Sequence, residues 1–564
     1  VANEPAVSFA GALVAPDFRA WRQVVSNRFA IDSIALRDDL LFGWGWFLAD
    51  VSPATHLRIV VRHRSGAESR LMCTRGGSRP DIESAHPQIA HAGSAGFIIQ
   101  GRVLGDWAGA RSELQVDLAD GSRTALPIDG FPFRFMEAAA NVESLRVKLS
   151  AALALLRAGD LRGFMRRLGR VIANAWRRLM SKPKLDDVQS APRRIELIFD
   201  HAMGGGANRF REQLAADIVA RGGCACIVVP DLPKLAYRLR MVDQAGSAES
   251  SFGSLRGLLS FLDRQQIGAI ELNDLVSFDD PLLLVAWTRQ QAGRGVPVRV
   301  YVHDFHVACP SWTLIDVADR YCRVPALDVC ARCLPKLEIP FLALLPSTDI
   351  PNWRAAWGAL LQVADLVAFS AASIAILRRA YPDLDATRIE LRPHSVDYLP
   401  AVLAPKAFPT DRNGPLTIGV IGNISRHKGS DIVWEMAALI AAQRLPIRIR
   451  VIGEIENAVR SDVVEVLGPY RAEQLPQLLE QAGVDVCLLP SVCPETYSYV
   501  TAELMQLQMP LAVFDLGAPG ERVAGYALGR IIPEVSARAA LDTIRQFHRD
   551  LLANAVASPL PQRA

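Results

Sequence analysis

The run Pro490-Ser491-Val492-Cys493-Pro494-Glu495-Thr496-Tyr497-Ser498-Tyr499-Val500-Thr501-Ala502-Glu503 sets two carboxylates with seven residues between them, after an apolar stretch at 484–489. A helix beginning near Ser498 contains Glu503 and leaves Glu495 in the loop ahead of it. One carboxylate then faces a sugar and the other a ribose, with helix N–H groups between them for phosphate. Isolated glutamate pairs mean little; this pair has a strand–loop–helix setting and a glycine-bounded basic loop upstream. That loop is Gly422-Asn423-Ile424-Ser425-Arg426-His427-Lys428-Gly429, placed between the strand 416–421 and a helix. Arg426 and Lys428 bring positive charge to the helix N-terminus, which a departing diphosphate needs because charge builds on it as it leaves. The plainer reading is a solvated basic loop. Gly204-Gly205-Gly206 also follows a strand and opens a helix. Its spacing is not the full dinucleotide fingerprint, and a tight turn explains it equally well.

Nine cysteines in 564 residues do not form a disulfide framework. Cys73, Cys224, Cys226, Cys487 and Cys493 are scattered and read as buried thiols. Cys309, Cys322, Cys330 and Cys333 fall within 25 residues, the last two as a C-x2-C pair, with His303 and His306 just upstream. Four thiolates can hold a structural zinc ion and pin a long loop. Reduced thiols or one disulfide fit the same spacing.

These residues need elements to position them. From Arg194 the pattern is β-α-β, with strands at 195–199, 226–229, 269–272, 298–302 and 366–369 and a helix over about 208–220. A second such unit opens at 416–421 and continues at 447–452, 484–489 and 511–514. The pattern predicts two doubly wound parallel sheets with ligands at the C-terminal ends of their strands. The last helix, about 537–553, is expected to pack back across the cleft between them. Residues 1–135 read as β, with near-alternating stretches at 57–61 and 114–118 and turn signals at 75–77 and 120–122. A small β-sandwich is expected, with Trp44, Trp46 and Phe97 in its core rather than on a sugar-binding face. Between 136 and 190 the chain reads as a helical linker. There Leu161, Phe164, Met165, Leu168, Val171, Ile172, Ala175, Trp176 and Leu179 form one apolar stripe, and six arginines from Arg162 to Arg178 crowd the other face. Such a helix packs on a neighbouring domain or lies on an anionic membrane surface. The expected domains are therefore 1–135, 136–190, 191–400 and 401–564.

The segment 490–503 resembles the E-x7-E motif of the retaining glycosyltransferases of the GT-B fold, the large family 4 group. Met509-Pro510-Leu511-Ala512-Val513-Phe514-Asp515-Leu516-Gly517-Ala518-Pro519-Gly520-Glu521 is similar to that family's next strand and loop. Gly422 to Gly429 resembles its phosphate loop, and Gly204 to Gly206 the glycine loop of its first domain. The resemblance spans roughly 194–535 and does not reach the first 190 residues. It implies that Glu503 holds the donor ribose, Glu495 contacts the donor sugar and Lys428 meets the diphosphate. It further implies N–H donors at Tyr497 and Ser498, beside Thr496, and an approach of His303 to the donor sugar from the first domain. Where the family often has Arg, the position after Gly422 is Asn423, and Arg426 is the expected substitute. The family's Glu-Gly-Phe-Gly is here Glu495-Thr496-Tyr497-Ser498, and its Pro-His-Gly-Val-Asp is Pro393-His394-Ser395-Val396-Asp397.

What the resemblance implies is transfer of a hexosyl-type group from a UDP-, GDP- or dTDP-sugar to a polysaccharide, lipopolysaccharide or lipid-linked acceptor, with retention and without a catalytic metal. Glu495, His303 and Lys428 are the candidate catalytic residues; the three glycines at 204–206, Gly422, Asn423, Arg426, Thr496, Tyr497, Ser498 and Glu503 complete the donor site. The N-terminal domain is expected to position the acceptor. A non-catalytic carbohydrate-binding scaffold and a sugar-phosphate enzyme of the same fold are the competing readings. A formal charge of +3 argues against a dedicated nucleic-acid binder. No apolar run approaches the roughly 18 residues that span a bilayer. Val1-Ala2-Asn3-Glu4-Pro5 opens no basic-then-apolar leader. A cytoplasmic protein is expected, with peripheral contact to the inner membrane through residues 161–180.

Overall fold

The computed structural model describes residues 22–24, 27–50, 52–63, 66–103, 110–128, 134–135, 194–399 and 414–557. The linker 136–190 and its basic helix at 161–180 lie outside them.

The described residues up to 135 build one sheet rather than a sandwich. Its strands run in the order Arg22–Val24, Asn27–Arg37, Leu40–Ala49, Gly96–Arg102, Glu68–Gly77, Ala54–Arg62, Arg111–Leu118, Arg123–Pro127. Every neighbour in that order is antiparallel, and Arg134–Phe135 adds a parallel pairing to Asn27–Arg37. Phe29, near one edge, shares a core with Leu126 and Ile128, near the other. Such a core requires the sheet to curl onto its own inner face. Register shifts at Ile31/Ser33, Ala54/His56 and Arg75/Gly77 supply the bends. Alternation in sequence reports which side chains face inward; it cannot tell one curled sheet from two stacked ones. Trp46 and Phe97 are buried, whereas Trp44 is partly exposed and packs with Phe42 against Leu235 of the next domain.

The second sheet has eight strands in the order Gly246–Phe252, Ala236–Asp243, Cys224–Asp231, Ile195–Phe199, Ile267–Leu272, Val298–Tyr301, Asp365–Ala368, Ile389–Leu391. Six are parallel, and the hairpin 236–252 adds an antiparallel edge. The order reverses at Ile195–Phe199, so ligand-facing loops gather at the C-terminal ends of that strand and Ile267–Leu272.

The third sheet is wholly parallel, in the order Val464–Val466, Ile447–Ile455, Leu416–Ile424, Val486–Leu489, Leu511–Phe514, Gly529–Ile532. The helix Ala537–Ala557 does not cross the cleft. Ala540, Leu541, Ile544, Phe547 and Leu551 recur at helical spacing and join the core of this same domain. Two doubly wound α/β domains thus face one another, a GT-B-like arrangement, with the curled sheet in front. Among the described residues no helix is long and apolar enough to cross a membrane.

Candidate active site

The loop after Val486–Leu489 carries the carboxylates. Helix Tyr499–Gln506 starts at the N-cap Ser498, whose Oγ accepts from the Thr501 N–H at 3.4 Å. Glu503 lies on that helix, only 4% exposed. Its Oε1 accepts a hydrogen bond from the Tyr398 hydroxyl. Burial raises the Glu503 carboxyl above the ordinary range, against the pull of Tyr398 and Arg209. Arg209, one turn into the helix Gly205–Ala220, stacks 3.5 Å from the Tyr398 ring centroid. The first α/β domain therefore reaches directly to the Glu503 group.

Glu495 precedes the helix. Its Oε2 lies 2.9 Å from Lys428 Nζ, and its Oε1 accepts from the Ser491 hydroxyl. Burial pushes the Glu495 carboxyl up, but Lys428, Ser491 and Ser498 outweigh it and hold the group below the usual range. The Lys428 ammonium is in turn raised: burial disfavours it and Glu495 more than compensates.

The basic loop differs from expectation in where it starts. Strand Leu416–Ile424 runs on through Gly422 and Asn423, which pair with Gly453 and Glu454 of the neighbouring strand. A Cβ on Gly453 would stand 2.0 Å from the Gly422 carbonyl oxygen, so the close approach of these strands depends on glycine at 453. Asn423 is exposed on the strand, and the loop proper is the turn Arg426–Lys428. Gly429 closes it at φ +89°, and a Cβ there would stand 2.0 Å from the Pro490 carbonyl oxygen. The Arg426 side chain turns outward to Asp319 at 2.7 Å and Asp431 at 3.4 Å. Of the expected pair, Lys428 alone points its cation at the carboxylate loop.

Contacts from the first domain close the cleft over this loop. Thr496 Oγ1 donates to the His303 carbonyl at 2.7 Å, and the Tyr497 hydroxyl donates to the His394 carbonyl. Ser373 Oγ donates to the Thr496 carbonyl at 3.3 Å. Glu521 Oε2 accepts from the Ala372 N–H at 2.6 Å, in the first turn of helix Ala371–Ala380. The His303 ring stacks near His394 and Phe369, and its Nε2 lies 2.9 Å from Asn273 Oδ1. That amide oxygen can only accept, so Nε2 carries a proton. Burial, then His394 and His201, hold the imidazole well below its usual value, leaving it neutral. Gly204 and Gly205, both with positive φ, have open space around them, and a Cβ on Gly206 would meet the Tyr499 ring at 2.7 Å.

Several polar groups escaped the sequence reading. Asn273 and Asp274 follow strand Ile267–Leu272, and Asp304 follows His303. Burial raises both carboxyls, and the two share a hydrogen bond. His201 Nε2 stands 3.5 Å from Asp274. Polar residues just past strand ends in a doubly wound sheet were the available signal. Tyr398 and Arg209 carried none, because only the folded chain brings them to Glu503.

The cysteine cluster lies on the first domain. Helix Leu327–Cys333 carries Cys330 and Cys333. Cys330 accepts from Arg354 Nη2 at 3.6 Å, and Cys309 Sγ meets Ser311 Oγ at 3.2 Å. All nine thiols are free. Cys322 lies within electrostatic reach of Cys309, Cys330 and Cys333, and among the described residues no group of three or more His, Cys, Asp or Glu side chains is arranged to hold a metal ion.

Residues 415–550 match the family model of glycosyl transferases group 1. The match takes in every strand of the third sheet and contains Lys428, Glu495 and Glu503. Among solved structures, sucrose-phosphate synthase from Thermosynechococcus elongatus is similar at 14% identity and TM-score 0.40, over 64% of this chain and 90% of that one. Anabaena Alr3699/HepE, solved with UDP-glucose, is similar at 15% identity and TM-score 0.39, over 64% and 91%. The catalytic domain of starch synthase IV from Arabidopsis thaliana, bound to ADP and acarbose, follows at 10% and 0.38, over 64% and 92%. No curated protein matches the chain.

Proposed function

We propose that the chain transfers a sugar from a nucleotide-sugar donor to a glycan or lipid-linked acceptor, with retention at the anomeric carbon. The observation that carries this reading is the arrangement around helix Tyr499–Gln506 inside the group 1 match: Glu503 buried on the helix, Glu495 ahead of it, and Lys428 on Glu495 at 2.9 Å. Glu503 would accept the ribose hydroxyls in place of Tyr398. Lys428 and the N–H groups at Tyr497 and Ser498 would take the diphosphate charge as the glycosidic C–O bond breaks. The acceptor oxygen forms the new bond on the face the diphosphate leaves, and its proton passes to a leaving phosphate oxygen. His303, neutral and held by Asn273, would meet the sugar from the opposite wall. This reading gives the diphosphate charge to residues of the chain and needs no catalytic metal. Membrane contact through residues 161–180 fits a lipid-linked acceptor and belongs to the same proposal.

A thermal-shift panel of UDP, GDP, dTDP, ADP and CMP, with Glu503→Ala beside the wild type, tests it. A ligand at a hundred times its dissociation constant adds about 2.7 kcal/mol. One nucleotide should stabilise the wild type and fail on the variant. Stabilisation by none, in well-folded protein, would sink the transferase reading in favour of a carbohydrate-binding scaffold.

A further inference from the structure

The curled N-terminal sheet touches both α/β domains. Against the first, Arg102 donates to the Leu344 carbonyl at 2.7 Å and the Asp279 carbonyl at 2.9 Å, and Arg58 donates to Glu338 at 3.0 Å. Against the second, Ser94 Oγ donates to the Ala458 carbonyl at 3.0 Å, and Arg75 Nε lies 3.9 Å from Glu456 Oε1. A Cβ on Gly76 would stand 3.1 Å from Glu456 Cγ, so the end of strand Glu68–Gly77 is packed onto that side chain.

Glu456 follows strand Ile447–Ile455 directly and is fixed at both backbone ends. Its N–H donates to the Ile424 carbonyl at 2.9 Å, and its carbonyl accepts from Trp434 Nε1 at 3.1 Å. Its Oε2 accepts from the backbone N–H of Arg426 at 2.8 Å. Arg426 is the first residue of the turn that delivers Lys428 to Glu495. One carboxylate therefore has its two oxygens on two tasks, one toward the sheet and one on the loop. Arg75 cannot swing away freely, since its Nη1 also donates to the Ala54 carbonyl at 2.7 Å. Both side chains are largely shielded, at 16% and 20% exposure, so salt screens the pair less than it would at a surface.

We propose that Glu456 is a positioning residue for the donor site, and that the N-terminal sheet, acting through Arg75, fixes the Arg426–Lys428 turn before a donor arrives. This rests on reading that turn as the diphosphate loop. A loop ordered in advance loses less entropy on binding, and the gain falls on donor affinity. The sheet thereby serves the donor half of the reaction.

The test compares full-length wild type with Arg75→Ala, Glu456→Ala and Glu456→Gln. Amide exchange is read without ligand; then the affinity for whichever nucleoside diphosphate the panel selects is measured, with donor KM and kcat. Loss of a charge-assisted hydrogen bond at Arg426 should speed exchange across 425–429 about tenfold in Glu456→Ala. Arg75→Ala should show a smaller increase, and Glu456→Gln should recover most of the protection, because its amide oxygen still accepts. Donor KM should rise several-fold with little change in kcat. Exchange unchanged at 425–429, or raised evenly over the whole second domain, would overturn the tie. Nucleotide affinity indifferent to all three variants would overturn the positioning role alone. A wild type with no affinity for any nucleotide, its loop protection still dependent on Glu456, would overturn the donor reading and with it the proposal.

Discussion

At the scale of single residues, the ionisable groups of the cleft pull stability in opposite directions with pH. Glu495 is held below the ordinary carboxylate range by Lys428. Its contribution is complete above about pH 4.3, the unfolded value, and is lost as pH falls through the lower folded value. Asp274 and Asp304 are raised by burial, so the folded state holds a proton that the unfolded chain releases. Their effect has the other sign: stability declines as pH rises from about 4. Urea melts across pH should therefore show Asp274→Asn flattening the decline on the alkaline side and Glu495→Gln flattening the loss in acid. An unchanged profile in either variant would refute its assignment. Lys428→Ala leaves a 9%-exposed carboxylate without its cation. Because Lys428 itself is 35% exposed, the cost should be about 2 kcal/mol rather than the full penalty of a buried pair. Tyr398→Phe frees Glu503 of a competitor, so nucleotide affinity should tighten a few-fold by calorimetry; weaker binding would mean that Tyr398 touches the nucleotide. The motif residues were legible in sequence because each lies beside its helix or strand end. Arg426 was not: its spacing put it in the loop, but Asp319, more than a hundred residues away in the chain, decides where its guanidinium points.

At the scale of elements, hydrophobic periodicity found the central parallel strands because buried strands are nearly continuous apolar runs, as in Val486–Leu489, but not the short outer ones Ile389–Leu391, Val464–Val466 and Gly529–Ile532. It missed the hairpin Ala236–Asp243 and Gly246–Phe252. The outer strand, Gly-Ser-Ala-Glu-Ser-Ser-Phe, lies at a sheet edge with mostly exposed residues, and Phe252 is its one large apolar side chain. The sandwich expected in front failed for a different reason, since closure of a sheet depends on bulges and distant partners that no local window contains. Gly429 is where two elements of the site depend on one residue. Alanine there meets both a left-handed backbone and the Pro490 carbonyl, so Gly429→Ala should cost about 2–4 kcal/mol and separate the turn from the carboxylate loop. Chemical denaturation with nucleotide titration would show both losses together; retention of nucleotide affinity in the variant would mean the loop tolerates the shift.

At the scale of the whole molecule, the two α/β domains are joined across the cleft by Thr496 to His303, Tyr497 to His394, Ser373 to Thr496 and Glu521 to the helix Ala371–Ala380. Doubly wound architecture was readable in advance; this set of latches was not, because each links residues a hundred or more apart. Glu521→Ala strips an acceptor from the first turn of a helix in the opposite domain and should lower the melting temperature by a few degrees, about 1 kcal/mol. No change would show that the latch is idle in solution. These latches tie the two walls of the cleft together. On the proposed function, a donor would reach the carboxylate loop only when they break, and the spent nucleotide would leave by the same opening. The pace of turnover would be set by this opening and not by bond-making. Thickening the medium with sucrose or glycerol should slow the steady state in proportion to viscosity, and Glu521→Ala should run faster than the native chain.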